Sequence, residues 1–147
     1  PYGGFYMTHM RQEGVGLVDA TKEALEIARS AGVPLQISHH KCTSRLYWQG
    51  HVQTTLAMIR QARRQGMDVT CDQYPYRASS TSLTSNIPRW AFEGGMDAML
   101  DRLRDPETRS KIHEECERGH LGRWDQIVVA WTTPGKFEWT IGKTVGT

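Results

Sequence analysis

Apolar positions along the first half of the chain follow two alternating periods. GFYMTHMR (4–11) is a short β-type run, and GLVDATKEALEIARSAG (16–32) then sets Leu17, Ala20, Ala24, Leu25 and Ala28 at helical spacing before a glycine stop. VPLQISHHK (33–41) is again β-type. GHVQTTLAMIRQARRQG (50–66) puts Val52, Leu56, Ile59 and Ala62 on one helical stripe, and MDVTCDQYPY (67–76) reads as a third strand. This β-α-β-α-β order predicts parallel strands joined by crossover helices, hence an α/β sheet or barrel. The second half is less regular. ASSTSLTSNIPRW (78–90) reads as a polar loop, GGMDAMLDRLRDPETRSKIHEECERG (94–119) as mostly helical despite Pro106, DQIVVAW (125–131) as a fourth strand, and the remainder as turns. With no internal repeat and no clear linker, one domain is expected over residues 1–147.

Composition narrows the setting. The 18 basic and 16 acidic residues are intermixed, and no lysine- or arginine-rich block offers a footprint for nucleic acid. No apolar run approaches the roughly 20 residues needed to span a bilayer, so no membrane partner is expected. Cys42, Cys71 and Cys116 are an odd, widely spaced set that suits a reducing compartment, and the expected location is cytoplasmic. The opening PYGG has neither an initiator Met nor a signal-type segment and reads as a fragment or a processed chain.

The QISHHK stretch (36–41) carries the candidate chemistry. Residues two apart on a strand share a face, which aligns Phe5, Met7 and His9 on one strand and Leu35, Ile37 and His39 on the next. Each face runs apolar, apolar, histidine toward the strand's C-terminal end, where parallel α/β folds build their sites. Two such histidines could converge on one metal ion, or each could be satisfied by backbone hydrogen bonds; spacing alone leaves both open. His40 points the other way.

YMTHMRQEG, VPLQISHHK, Trp48, DVTCDQYPYRASSTSL and IPRW together resemble the N-acyl-D-amino-acid deacylases (D-aminoacylases) of the amidohydrolase superfamily, over most of residues 2–105. The resemblance implies an α/β fold that is the C-terminal half of a metal-dependent (β/α)8, or TIM, barrel, incomplete at both ends of residues 1–147. It implies that His9 and His39 are metal-binding histidines of the fifth and sixth barrel strands, and that Lys41, Tyr74 and Ser80 hold the carboxylate and acyl portion of an N-acyl-D-amino acid. The implied reaction is amide hydrolysis by water activated on one or two zinc ions. The family's His-x-His pair and bridging cysteine have no counterpart here, and its catalytic aspartate is expected beyond residue 147. The fragment alone is therefore expected to hold metal weakly or not at all and to be inactive.

Other residues stay open between a functional and a plain structural reading. His113, Cys116 and His120 lie at i, i+3, i+7 with zinc-type ligand chemistry, or simply line a surface helix. Arg11 and Glu13 could orient a metal ligand or substrate, or form an ordinary ion pair. Arg77 could read an acidic side chain or be solvated. Cys71 and the tryptophans Trp124, Trp131 and Trp139 read as packing residues. The contrasting function is a non-catalytic α/β module that binds a small anionic ligand through Lys41 and Arg77, or self-associates through open sheet edges.

Overall fold

The computed structural model describes residues 3–120 and 123–146, the side chains of 119 and 120 excepted. The described chain gathers into two compact units that meet in sequence between Arg77 and Ala78.

In the first unit the two helical stripes become α1 (Leu17–Ala31) and α2 (Trp48–Arg64). Every apolar residue of the first stripe is buried, together with Thr21. Gly32 stops α1 at φ 64, a left-handed conformation that costs glycine nothing, and its N–H closes on the carbonyls of Ala28 and Arg29. On α2, Ile59, Ala62 and Thr55 are buried, while Val52 and Leu56 pack partly covered against the same core.

Between these helices run β1 (Tyr6–Thr8), β2 (Leu35–Ile37) and β3 (Val69–Cys71), a parallel sheet in the order β1-β2-β3. The strands are shorter than the β-type runs, because the sequence beyond their C-terminal ends turns away into loops. Tyr6 pairs with Leu35 and Leu35 with Val69, so these three share a face, as do Met7, Gln36 and Thr70 on the other. The helices cover the first face: Leu35, Ile37 and Val69 are 2%, 0% and 0% exposed.

This register corrects the expected face of β1. Tyr6 and Met10 join the core, whereas Phe5 and Met7 are 60% and 59% exposed. Strand periodicity defines two faces but does not say which one a helix will cover, and β1 is apolar on both. Cys71 does lie on the Val69 side, yet as the last residue of an edge strand it is exposed rather than buried.

In the second unit the expected single helical stretch is two helices, α3 (Met96–Arg104) and α4 (Pro106–His120). Asp105 between them is extended, and its carboxylate accepts the Thr108 N–H at 2.7 Å. Pro106 follows as the first helical residue, where its missing N–H is no loss. The Thr108 contacts hold the Asp105 carboxyl below the usual carboxylate range. Met99 and Ile112 pack with Ala91 into a small core. Within the polar loop, short 3-10 turns form at Leu83–Asn86 and Arg89–Phe92.

The expected fourth strand does not join the sheet. Residues Trp124–Gln126 make a 3-10 turn, and Val128 then forms an isolated antiparallel bridge with Thr144, flanked by Val129 N–H to Lys143 O at 3.0 Å. An apolar run reports β character but not its partner. Trp131 and Trp139 are 74% and 67% exposed, against the packing role expected of them. Among the described residues no helix is long and apolar enough to cross a membrane.

Candidate metal centre

Three loops leave the C-terminal ends of β1, β2 and β3, and each contributes to one cluster. His9 follows the last residue of β1, His39 lies two residues beyond β2, and Asp72 directly follows β3. His9 Nδ1 sits 2.9 Å from His39 Nε2, with the rings 4.7 Å apart between centroids and 68° between planes.

The route by which the two rings meet differs from simple alternation. Since Thr8 pairs with Ile37, continued strand geometry would send His9 and His39 to opposite faces. The chain instead turns at His39, which has φ 40 and is the sole non-glycine residue with positive φ among the described residues. Such a conformation is costly for an ordinary side chain and needs support from its surroundings. Asp72 supplies it: Oδ1 accepts the His39 backbone N–H at 2.6 Å, and Oδ2 accepts from Gln36 Nε2 at 2.6 Å. The sequence reading assigned no role to Asp72 or Gln36. The available signal was an aspartate at a strand's C-terminal end.

On the far side of His39 stands Glu13, from the loop after β1, whose carbonyl is tied to the Thr43 N–H at 2.7 Å. Glu13 Oε1 lies 2.8 Å from His39 Nδ1, and Oε2 lies 2.7 Å from Lys41 Nζ. Glu13 and Lys41 side chains are only 13% and 17% exposed, so this ion pair is far better shielded than a surface bridge. Among the described residues, His9, Glu13 and His39 form the one group whose ligand atoms cluster closely enough to hold an ion.

The donor set fits zinc. Two imidazole nitrogens bound at about 2.0–2.1 Å to a tetrahedral ion would stand roughly 3.3 Å apart, close to the observed approach. A carboxylate on the opposite ring nitrogen is the usual support of a metal-bound histidine. Two imidazoles fall short of the three protein ligands usual in catalytic zinc sites.

The remaining candidates fall elsewhere. Tyr74 is half-buried, with its ring centre 5.7 Å from Lys41 Nζ. Ser80 is exposed in the second unit, and Arg77 is exposed at the end of the first. Arg11 turns away to Glu23 at 2.6 Å, an exposed pair of the kind contributing under about 1 kcal/mol. On α4, Cys116 donates to Asn86 O at 3.2 Å and packs against the small core, while His113 is exposed. The His120 side chain lies outside the described residues.

His40 is structural. It is 6% exposed, and its Nε2 lies 2.9 Å from Thr55 Oγ1, whose own hydrogen serves a backbone carbonyl of α2. Burial pushes its pKa below the ordinary value of 6.5, outweighing the attraction of Glu13. Above pH 6.5 the ring is neutral both folded and unfolded. Below it, the unfolded chain takes a proton that the fold refuses, so this stabilisation is lost as pH falls toward the lowered value. Urea midpoints at pH 7.5 and 5.5 should drop more in the wild type than in His40→Gln; an equal drop would remove His40 from the account.

Comparisons with known proteins place this geometry. No family model matches the chain. It is 42% identical over 129 residues, 88% of its length, to an N-acyl-D-glutamate deacylase of Alcaligenes xylosoxydans xylosoxydans. The chain is homologous to the N-acyl-D-amino-acid deacylases. A D-aminoacylase of the same organism is 44% identical over 82 residues. Among solved structures, an N-acyl-D-glutamate deacylase from Bordetella bronchiseptica, complexed with zinc and a phosphonate mimic of the tetrahedral intermediate, matches 97% of the chain at 30% identity and a TM-score of 0.65. The chain spans 23%, 16% and 22% of the lengths of these three deacylases.

Proposed function

We propose that this chain is part of a zinc-dependent amidohydrolase that cleaves the amide bond of N-acyl-D-amino acids, and that its first unit supplies two metal-binding strand ends of a (β/α)8 barrel. The observation that carries the proposal is the convergence of His9 and His39 at the ends of adjacent parallel strands, backed by Glu13 and Asp72. The barrel reading is supported by the sheet itself. Parallel sheets are ordinarily covered on both faces, yet here Phe5 and Met7 are exposed, and β1 and β3 are both sheet edges. The three free thiols suit a reducing, cytoplasmic setting.

In this reading His9 Nδ1 and His39 Nε2 hold the ion, and Asp72 and Glu13 keep His39 aimed at it. Bound zinc would supply Lewis acidity, which polarises a carbonyl and makes water nucleophilic at neutral pH. Lys41 offers its ammonium to the substrate carboxylate, with the hydroxyl of Tyr74 as a further partner. Lys41 Nζ lies 2.7 Å from both Glu13 oxygens and 3.3 Å from the His39 carbonyl, so a bound anion would share its three N–H donors with these acceptors. Two matches that cover 88% and 97% of the chain are both named for N-acyl-D-glutamate, which makes that acid the first substrate to try.

The test uses the full-length protein. N-acetyl-D-glutamate and N-acetyl-D-methionine should be hydrolysed in preference to their L enantiomers, with activity lost on chelation and restored by zinc. A zinc-loaded protein that releases no amino acid from any N-acyl-D-amino acid would overturn the proposal.

A further inference from the structure

His39 has two ring nitrogens with different neighbours, and the difference decides which one is available. Nδ1 faces Glu13 Oε1 at 2.8 Å, and an ionised carboxylate only accepts hydrogen bonds. Of the two neighbours of Nδ1, this nearer Glu13 oxygen favours a proton there, against Lys41 Nζ at 3.1 Å, which would donate to a bare Nδ1. In the neutral ring Nε2 is then the bare nitrogen, and it faces His9 Nδ1 at 2.9 Å. The Lys41 contacts at 2.7 Å to both Glu13 oxygens hold that carboxylate in place.

We propose that Glu13 is a positioning residue that fixes the Nδ1–H tautomer of His39 and so presents Nε2, with its lone pair, to the ion. This rests on the zinc-site reading above and adds to it a division of labour. Glu13 lies close enough to His9 and His39 to be counted with them as a ligand, but its oxygen addresses the His39 nitrogen turned away from His9. Its service is to the histidine. The signal is indirect in sequence: Glu13 lies four residues after His9, on the loop of β1, yet acts on the strand end of β2. The backbone tie from Thr43 N–H to Glu13 O at 2.7 Å links the two loops so that it can do so.

The experiment combines zinc competition titrations with imidazole nitrogen NMR on the full-length protein and on Glu13→Gln, Glu13→Ala and Glu23→Gln. Loss of a histidine's supporting partner typically weakens metal binding about 10- to 100-fold. Glu13→Gln, which keeps an oxygen acceptor but no charge, should fall near about 10-fold, and Glu13→Ala nearer about 100-fold. Glu23→Gln removes a like charge beside His9, on the exposed Arg11 pair, and should leave zinc affinity unchanged. In zinc-free wild type, His39 should show the Nδ1–H form, and Glu13→Ala should shift it toward the Nε2–H form.

A wild-type His39 in the Nε2–H form, or Glu13 variants that bind zinc as tightly as wild type, would overturn the inference. So would a zinc-bound structure with a Glu13 oxygen in the coordination shell. If wild type takes up no zinc, the functional reading fails, and the tautomer spectra still decide the role of Glu13. Should Glu13→Ala not fold, Glu13→Gln carries the comparison.

Discussion

His39→Asn is expected to weaken zinc binding by more than about 100-fold, beyond the range seen when only a supporting partner of a ligand is lost. Asparagine is the informative replacement because position 39 has φ 40, and asparagine tolerates the left-handed region better than alanine does. The Asp72 bond to the backbone N–H of residue 39 survives the change, so the turn keeps its anchor. The shorter side chain cannot bring a nitrogen to the place of Nε2. A competition titration with circular dichroism as a fold control should show native ellipticity and lost zinc affinity together. Retained affinity with retained fold would exclude His39 as a ligand.

The second large effect is on stability. Ile37 closes β2, is 0% exposed, and sits in the core formed by the helix-covered face of the sheet. Truncation of such a residue combines lost burial with a cavity, and Ile37→Ala should cost about 2–5 kcal/mol. The loss also reaches the site, because His39 leaves the same strand end two residues on. Urea unfolding should show the reduced midpoint, with Gln53→Ala on the exposed side of α2 as the comparison, changing stability by less than about 0.5 kcal/mol. A cost below about 1 kcal/mol at Ile37 would mean that this face is not the packed one.

The helices were legible because their signal is local. Leu17, Ala20, Ala24, Leu25 and Ala28 recur at helical spacing, and all five are buried. The parallel order of the first three strands followed from the intervening helices, and it holds as β1-β2-β3. What failed depends on partners distant in sequence. Phe5 and Met7 are as apolar as residues of a covered face, but register puts Tyr6 opposite Leu35, and the covered side follows the register. Pro106 was read within one helix and instead begins another, since Asp105 before it caps the new start.

At the site, the meeting of His9 with His39 was expected from strand alternation and is produced by something else. Alternation alone would have separated the two side chains, and the left-handed turn at His39, held by Asp72, brings them together. A positive φ at histidine has no sequence signature. Glu13 was readable as a residue that could orient a metal ligand or substrate or else pair with Arg11, but its partners, 26 and 28 residues on at His39 and Lys41, were not. Chemistry of this kind becomes readable only once the two loops are side by side.

The central claim is that His9 and His39 bind one ion through the nitrogens that face each other here. An anomalous difference map at the zinc edge, from crystals of the full-length protein grown with zinc, tests it most directly. The account predicts a peak within about 2.0–2.1 Å of both His9 Nδ1 and His39 Nε2. A fully occupied zinc bound without either imidazole, or the two rings still in direct contact in zinc-saturated crystals, would contradict it.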